Sequence, residues 1–433
     1  MTPSIRNSAG RGRRASERLR LVAGVVVMAV GLAACGSPSF AAPAASNVAI
    51  GPAGSAAPAT SAQPAAETPS VEPSVGSSAS PSPSPTPVPT PVLAVAPLTG
   101  RLVKPALATR HPIAVMVDDH WAARPQSGFT EASIVWQAPA EGGIPRYMMI
   151  FAEGNPTSVG PVRSARVYFV QWAAEWKAAF VHVGGSPQAM ALLRAKGRGE
   201  LVYDADQYRW GAYLWRTKDR VAPHNVYTDG KRLRALAAKV GAAPLEGARP
   251  VWVFRPDAAL ERRPAGARID VAYSYGAFSY RYDRASNTWR RFVNGKLQKD
   301  RASGAIVAPK NVVVMEVAFG SLGAGQKGRL EAANVGSGRA WIATNGVVTR
   351  GTWKKTSAAS PTRFFDGAGK AVALTVGQTF VQVMPTGSPI KVVRGTPVVV
   401  ATPSPSPAGS PGASGSPDPS ATATTLPTAT PAP

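Results

Sequence analysis

Two long stretches of low-complexity sequence limit what this 433-residue chain can fold. Residues 37–96 are dominated by Ala, Pro, Ser, Thr and Val, and Glu67 and Glu72 are their only charged residues. Residues 401–433 have the same composition, with Asp418 as the only charged residue. Such segments lack the apolar bulk whose burial offsets the entropy of an ordered chain, so we expect both to be disordered. The foldable part is therefore about 300 residues long, a length at which chains usually form two domains.

The first residues of the chain have the pattern of an export signal. Residues 6–20 contain six arginines and a single acid, Glu17. Residues 21–34 form an uncharged apolar run that has the length of a secretory signal and is too short for a comfortable bilayer span. The run ends in LAACG, which resembles a bacterial lipobox, and Cys35 is the only cysteine of the chain. We expect a signal peptide over residues 1–34 and lipidation at Cys35; a plain signal peptide is the alternative.

Lipidation would make the bilayer the first partner of this protein. The disordered linker over residues 35–96 would then act as a tether, with a reach between ~45 Å as a flexible coil and ~190 Å as polyproline II. Either length matches or exceeds a bilayer of ~40–45 Å. We therefore expect an exported protein held on the outer face of the bacterial cell membrane by a lipid.

The foldable part carries a large positive charge, with 42 Lys and Arg against 20 Asp and Glu in residues 101–400. A surplus of this size attracts polyanions. For an exported lipoprotein the nearby anions are lipid head groups, cell-wall polymers and acidic protein segments, so we expect no nucleic-acid partner. We also expect no cofactor and no metal site, because the four histidines lack the spacing of metal ligands.

The sequence pattern changes near residue 245. Before it, short apolar runs typical of buried strands alternate with amphipathic stretches typical of helices. The runs predict strands at 113–117, 133–138, 146–152 and 178–183, and helices at 164–176, 186–197 and 228–240. After residue 250 most of the sequence reads as strand, with hairpins at Asn294-Gly295 and Asn345-Gly346.

These patterns predict an α/β (α+β) fold. A layered sheet-and-helix domain is expected over residues 97–245, followed by a β-rich domain over 246–396. Disordered segments flank both, and the second of them covers residues 397–433.

Several short motifs carry a resemblance to a known family. They are PLTG (97–100), AVMVDDH (114–120), ARPQSG (123–128), EGGIPR (141–146), GPVRSAR (160–166), VHVGGSPQA (181–189), APHNVY (222–227), GTW (351–353) and GQT (377–379). Their order and spacing resemble the YerB-like bacterial lipoproteins, a family of unknown function with an N-terminal and a C-terminal half. The resemblance covers roughly residues 97–390 and implies a layered α/β fold, but no established activity.

This chain departs from the family pattern at three places. The family usually has Asp-Asn at 118–119, Tyr-Glu at 136–137 and Thr at 145. This sequence has Asp-Asp, Trp-Gln and Pro at those positions. The carboxylate that the resemblance implies at position 137 is therefore an amide here.

A set of polar residues interrupts apolar sequence and suits an anionic ligand. Arginines bind phosphate and carboxylate with paired hydrogen bonds, and a strand-to-helix turn such as Gly184–Ser186 presents free N–H groups. A tight entry into a helix is the alternative interpretation of that turn. The candidate ligand-binding residues are Asp118, Glu141, Arg146, Arg163, Arg166, His182, Ser186, Arg216, Arg220, His224 and Asn225.

Arg163 and Arg166 are predicted at a helix start, where the helix dipole disfavours positive charge. Both arginines therefore need a counter-anion. An internal carboxylate such as Asp118, Asp119 or Glu141 would make them a structural brace, whereas a bound ligand would make them a site. The sequence leaves both interpretations open.

The favoured function is a non-catalytic module that binds an anionic cell-envelope ligand through an arginine-lined groove. No nucleophile motif such as G-x-S-x-G is present around Ser186. The alternative is an envelope hydrolase or transferase that acts on a glycan or a phosphoester. In it, Asp118 or Glu141 would be the acid or base, and His182 or His224 would carry the proton.

Overall fold

The computed structural model describes residues 92–195 and 200–398. The predictions for the signal peptide, for Cys35, for most of the tether and the tail, and for the end of the helix at 186–197 lie outside the described residues. Among the described residues, no helix is long and apolar enough to cross a membrane.

The first half of the described chain alternates strands and helices. Its strands are β1 (Ala94–Val95), β2 (Leu102–Val103), β3 (Ile113–Asp118), β4 (Ile134–Pro139), β5 (Pro145–Phe151), β6 (Ala179–His182), β7 (Tyr203–Asp206), β8 (Trp215–Arg216) and β9 (Val226–Tyr227). Its helices are α1 (Pro105–Ala108), α2 (Val167–Ala173), α3 (Pro187–Ala195), α4 (Gln207–Trp210) and α5 (Gly230–Lys239). Short 3-10 helices include Trp121–Ala123 and Glu141–Gly143.

The second half consists mainly of strands. They are β10 (Phe254–Arg255), β11 (Arg268–Tyr273), β12 (Gly276–Asp283), β13 (Thr288–Val293), β14 (Lys296–Leu297), β15 (Asn311–Val317), β16 (Phe319–Ser321), β17 (Leu330–Ala332), β18 (Gly336–Thr344), β19 (Val347–Lys355), β20 (Arg363–Asp366), β21 (Leu374–Thr375), β22 (Thr379–Pro385) and β23 (Ile390–Val393).

One mixed sheet contains strands from both halves of the chain. Within the described residues its order is β20-β19-β18-β15-β22-β4-β5-β3-β6-β7. The halves meet where β22 runs parallel to β4, with Thr379 opposite Ile134. A smaller sheet has the order β14-β13-β12-β11-β23.

The large sheet is covered on both faces, which explains why its strands read as continuous apolar runs. Along β3, Ile113, Val115 and Val117 face the core that includes the smaller sheet and α5. Ala114 and Met116 face the other core, which includes α2 and α3. Every residue of β3 is buried.

The predicted fold class is confirmed, as are the layered first half and the strand-rich second half. The strands predicted at 113–117, 133–138, 146–152 and 178–183 each appear within a residue or two of the expected bounds. The two Asn-Gly pairs form the turns β13–β14 and β18–β19, with positive φ at both residues of each pair. The fold begins before residue 97, because β1 pairs with β2. The division into two domains near residue 245 stays a prediction; the large sheet crosses that position.

Candidate functional site

The segment that contains Arg163 runs beside the end of β3 before it enters a helix. The N–H of Arg163 donates to the carbonyl of Met116 at 2.9 Å, and the N–H of Ala165 donates to the carbonyl of Gly184 at 2.9 Å. Because these backbone groups bond to neighbouring segments, helix α2 begins at Val167, three residues later than predicted. Arg166 occupies the N-cap position, and Arg163 precedes the helix altogether.

Three arginines and two carboxylates form what we call the arginine cluster: Arg146, Arg163, Arg166, Asp118 and Glu141. Arg166 Nε donates to Glu141 Oε1 at 2.6 Å, and its Nη2 donates to Oε2 of the same carboxylate. Arg146 Nη2 lies 3.5 Å from that Oε2 as well, so both guanidinium groups share Glu141. Arg163 Nε lies 3.0 Å from Asp118 Oδ2. The ion pairs around Glu141 and the ion pair of Asp118 are brought together by strands β3 and β5, because Asp118 and Arg146 are opposite each other in the ladder of these strands.

The arginine cluster contains more positive than negative charge, with three guanidinium groups and two carboxylates. Burial and the positive charge of Arg166, only partly offset by Glu141, lower the pKa of Arg146 to about 10. Arg163 Nε is buried, and its contact with Asp118 is an ion pair without hydrogen-bond alignment. The side chains are not sealed off, because those of Arg163 and Glu141 are 24% and 21% exposed.

Asp118 also holds a pair of stacked histidines, His120 and His224, which we call the histidine pair. Asp118 Oδ2 lies 2.6 Å from His224 Nδ1, so the neutral ring of His224 carries its proton on Nδ1 and keeps Nε2 as an acceptor. His120 Nδ1 accepts the N–H of Ala122 at 3.2 Å, which places the proton of its neutral ring on Nε2. The ring centroids are 4.6 Å apart and nearly parallel, at 15°. In the neutral rings, Nε2 of His224 is thus an acceptor and Nε2 of His120 a donor.

His120 is the residue of this site that the sequence did not single out. Burial and the neighbouring His224 lower the pKa of His120, which keeps its ring neutral near pH 7. The backbone N–H of His120 donates to Asp118 Oδ1 at 3.0 Å. The signal that could have identified it is its position two residues after Asp118, directly at the end of a buried strand.

The remaining candidates have structural partners of their own. Arg216 Nη1 donates to Asn225 Oδ1 at 2.7 Å, which links the end of β8 to the residue before β9. Arg220 Nη2 donates to the carbonyl of Pro125 at 2.7 Å, in the loop after β3.

Two of the candidates stabilise the strand-to-helix turn after β6. The Nε2 and Nδ1 atoms of the buried His182 lie 2.8 Å from Asp204 Oδ1 and 2.7 Å from the carbonyl of Gly184. Ser186 Oγ accepts the N–H of Ala189 at 3.2 Å and so caps α3, which begins at Pro187 as expected. These contacts fit the tight-entry interpretation of the turn; a ligand at these two residues stays a prediction.

A second arginine site, centred on Arg291, lies on the opposite face of the sheet. Arg291 is fully buried, and its guanidinium donates to Tyr280 Oη at 3.0 Å, to Tyr147 Oη at 3.1 Å, and to the side-chain oxygens of Gln137 and Gln298. The faces of two phenylalanines complete the enclosure, Phe278 at 4.6 Å and Phe380 at 4.7 Å from the guanidinium carbon. We call this enclosure the Arg291 pocket.

Asp119 connects the Arg291 pocket to the loop after β3. Its Oδ2 accepts from Gln137 Nε2 at 2.7 Å, and its Oδ1 accepts from Arg124 Nε at 2.8 Å. Burial raises the pKa of Asp119, although the charge of Arg124 opposes that shift. The acid that the family resemblance implies at 137 is thus found one hydrogen bond away, at 119.

No group of three or more His, Cys, Asp and Glu side chains within residues 92–195 and 200–398 is arranged to hold a metal ion.

Comparisons with known proteins point to one family. Residues 98–243 match "Protein of unknown function (DUF3048) N-terminal domain", and residues 269–381 match the corresponding "C-terminal domain". The chain is 32% identical over 297 residues to "Putative lipoprotein YerB" of Bacillus subtilis (strain 168), which covers 67% of this chain and 86% of the relative. It also superposes on the crystal structure of YerB protein from Bacillus subtilis with a TM-score of 0.61 and 28% identity, over 69% of this chain and 99% of that one.

Proposed function

This chain belongs to the YerB-like family of DUF3048 proteins, and we propose that it is a lipid-anchored module that binds an anionic group of the cell envelope in the arginine cluster. The anchor would be Cys35, and the bilayer its attachment. The ligand would be a phosphate or carboxylate of a cell-wall polymer, or an acidic segment of another protein.

The observation that carries the proposal is the shortage of negative charge around Arg146. Arg146 is 8% exposed, and Glu141, the one carboxylate with which it forms an ion pair in the described structure, is shared with Arg166. A buried cation that must share its counter-ion is costly, and an incoming anion lowers that cost. Preorganised guanidinium groups bind phosphate and carboxylate with good geometry. The surplus positive charge of residues 101–400 would draw such anions toward the site.

Anchoring rests on separate observations. The relative with 32% identity is named as a lipoprotein. Cys35 follows an apolar run in this chain as it would in a lipobox. Radiolabelled palmitate incorporated in a bacterial host should appear in the full chain and be lost on Cys35→Ser; equal labelling of both chains would rule out this anchor.

Binding is tested with the full chain, purified anionic cell-wall polymer and inorganic pyrophosphate as a small probe. We expect affinity for both to fall as salt rises, because the attraction is electrostatic. Arg146→Gln should weaken pyrophosphate binding by about tenfold or more, equivalent to about 1.4 kcal/mol.

Arg350→Gln is the matched control, since it removes the same charge from an exposed position on β19. It should leave pyrophosphate affinity nearly unchanged. If both variants lose the same amount, the attraction comes from the diffuse field and not from a site. Absence of binding at low salt would refute the proposal.

The histidine pair favours a second candidate function, a hydrolase or transferase acting on a phosphoester. Asp118 orients His224 with an acceptor nitrogen at Nε2, an arrangement suited to a general base. His224 would take the proton of the attacking hydroxyl as its oxygen bonds to phosphorus. The leaving oxygen would depart with the proton of His120 Nε2. In this candidate Asp118 is a positioning residue and not itself the acid or base.

Turnover separates the two candidate functions. Asp118→Asn should abolish the release of product from wall polymer, because an amide favours the wrong tautomer of His224. Pyrophosphate binding should persist in that variant. If the unmodified chain releases no product, with or without added divalent metal, the enzymatic candidate fails and the binding module stands.

A further inference from the structure

We propose that the exposed indole of Trp121 is a stacking platform for a sugar ring, so that the ligand of the arginine cluster is a phosphate-bearing glycan. This inference rests on the proposed function and specifies its ligand class. It concerns a residue that lies outside both the arginine cluster and the histidine pair.

The exposure of Trp121 is imposed by a well-bonded segment. Its side chain is 69% exposed, the most of any tryptophan in the described residues. The backbone N–H of Trp121 nevertheless donates to Tyr275 Oη at 2.8 Å, and the 3-10 helix that begins at Trp121 is capped by the His120 ring. The backbone is therefore held from two sides while the indole points outward. A fixed, exposed ring can contact a ligand without first losing conformational freedom.

A row of rings leads from the indole to the arginine cluster. The centroids of Trp121 and His120 are 5.1 Å apart, and those of His120 and His224 are 4.6 Å apart. His224 then bonds Asp118, which pairs with Arg163. Tyr275 lies beside the row, 5.8 Å from His120. An extended ligand on this surface would meet flat apolar faces at one end and positive charge at the other.

This combination matches the chemistry of a phosphorylated sugar. The C–H face of a pyranose is apolar and packs against an aromatic ring, while its hydroxyls remain in water. The phosphate needs the positive charge that the arginines supply. A glycan is favoured over an acidic peptide, because a peptide carboxylate would use the arginines without needing the indole.

Trp215 shows that exposure alone does not make such a platform. Its side chain is 36% exposed, but the guanidinium of Arg232 lies over its ring at 5.0 Å. That ring has a cation as its neighbour, whereas Trp121 continues a row of aromatic rings. Trp215 is therefore the matched control for substitutions at Trp121.

The test uses the full chain and calorimetric titration with glucose 1-phosphate, inorganic phosphate, glucose and tetraglutamate. Glucose 1-phosphate should bind about tenfold more tightly than phosphate, near the upper end of what an aromatic contact contributes. Trp121→Ala should remove that gain and leave phosphate affinity unchanged. Trp121→Phe should keep most of the gain, and Trp215→Ala all of it. Thermal unfolding of each variant checks that the fold persists.

The possible failures are distinguishable. If phosphate binds and depends on Arg146, but glucose 1-phosphate binds no better or Trp121→Ala has no effect, the platform is wrong and the binding module stands. If tetraglutamate binds more tightly than glucose 1-phosphate, the ligand is an acidic protein segment and the inference is overturned. If phosphate, glucose 1-phosphate and tetraglutamate all fail to bind, the proposed function fails together with the inference.

Discussion

The Arg291 pocket and the arginine cluster flank the same strand, β5, on opposite faces of the large sheet. Arg146 and Tyr147 are successive residues of β5, so their side chains point to different sides. Arg146 belongs to the cluster, and Tyr147 accepts a hydrogen bond from Arg291. The smaller sheet closes over the Arg291 pocket, whereas loops border the cluster.

The two regions differ in how well they satisfy a buried arginine. Arg291 uses four N–H donors on side-chain oxygens and packs between aromatic rings. Arg146 donates to the carbonyl of Ser164 at 2.9 Å and shares one carboxylate at 3.5 Å. A buried arginine alone is therefore no sign of a ligand site. What distinguishes the cluster is its charge imbalance, because three guanidinium groups share two carboxylates.

The largest effect is expected from Arg291→Gln, which should lower the free energy of unfolding by about 3–5 kcal/mol. The substitution leaves a cavity and strips Tyr147, Tyr280 and two glutamines of their donor. Arg290→Gln, at the adjacent exposed position, removes only the surface pair with Asp283 and should cost less than about 1 kcal/mol. Urea unfolding of both variants measures the difference. Equal losses would contradict the structural role of Arg291.

Moving the carboxylate from position 119 to position 137 tests what the buried acid beside the Arg291 pocket contributes. Asp119→Asn should cost about 3 kcal/mol, because Arg124 loses its ion-pair partner and Arg291 loses a nearby negative charge. Adding Gln137→Glu returns the acid one hydrogen bond away, as in the family pattern, and should restore most of that stability. A double-mutant cycle by urea unfolding gives the coupling energy. Additive effects of the two substitutions would disprove the exchange.

In the arginine cluster, Arg146→Gln should change the free energy of unfolding by only about 1 kcal/mol. The loss of the bond to Ser164 is offset by relief of repulsion from Arg166, which contributes to the lowered pKa of Arg146. The same substitution at 291 is the reference. If Arg146→Gln destabilises the fold as much as Arg291→Gln, the cluster is a brace like the pocket.

The smallest effect is a pH dependence carried by Glu141. Although burial opposes it, the hydrogen bond and charge of Arg166 lower the pKa of Glu141 below its usual 4.5. The resulting stabilisation is present above pH 4.5 and is lost as pH falls through the lower folded value. Glu141→Gln should remove this dependence, by about 1 kcal/mol or less, while exposed Glu331→Gln should not. Urea unfolding between pH 7 and 3 measures it, and parallel curves for Glu141→Gln and the unmodified chain would contradict it.

Local sequence patterns predicted the strands and helices well, because an apolar run or a helix-start signal depends only on residues that are close in sequence. The apolar run at 113–117 predicted β3, and Ser186 followed by Pro187 predicted the start of α3. The pairing of β4 with β22 has no such signal, since every fully buried strand presents a similar run of apolar residues. The sequence therefore predicted two sheet-containing halves and missed the sheet that they share.

The candidate site was predicted only in part, for a related reason. The residue types and the possible internal counter-ions were found, but which carboxylate pairs with Arg163 and which with Arg166 depends on which strands are neighbours. Arg291 did leave a local signal. Side chains two residues apart in a strand share a face, so Arg291 lies on the same buried face as Trp289, and Arg290 points to solvent. A charged residue at a strand position that faces the core is thus the sequence feature that indicates the Arg291 pocket.

The parallel pairing of β4 with β22 has a consequence for biosynthesis. Ribosomes build the chain from its N-terminus, so β4 exists long before residues 379–385 are made. Until then its hydrogen-bonding edge is bare, and a bare edge invites pairing with foreign strands. A nascent molecule halted anywhere before β22 would thus be a candidate for aggregation or proteolysis, and only a nearly finished one can close its central sheet.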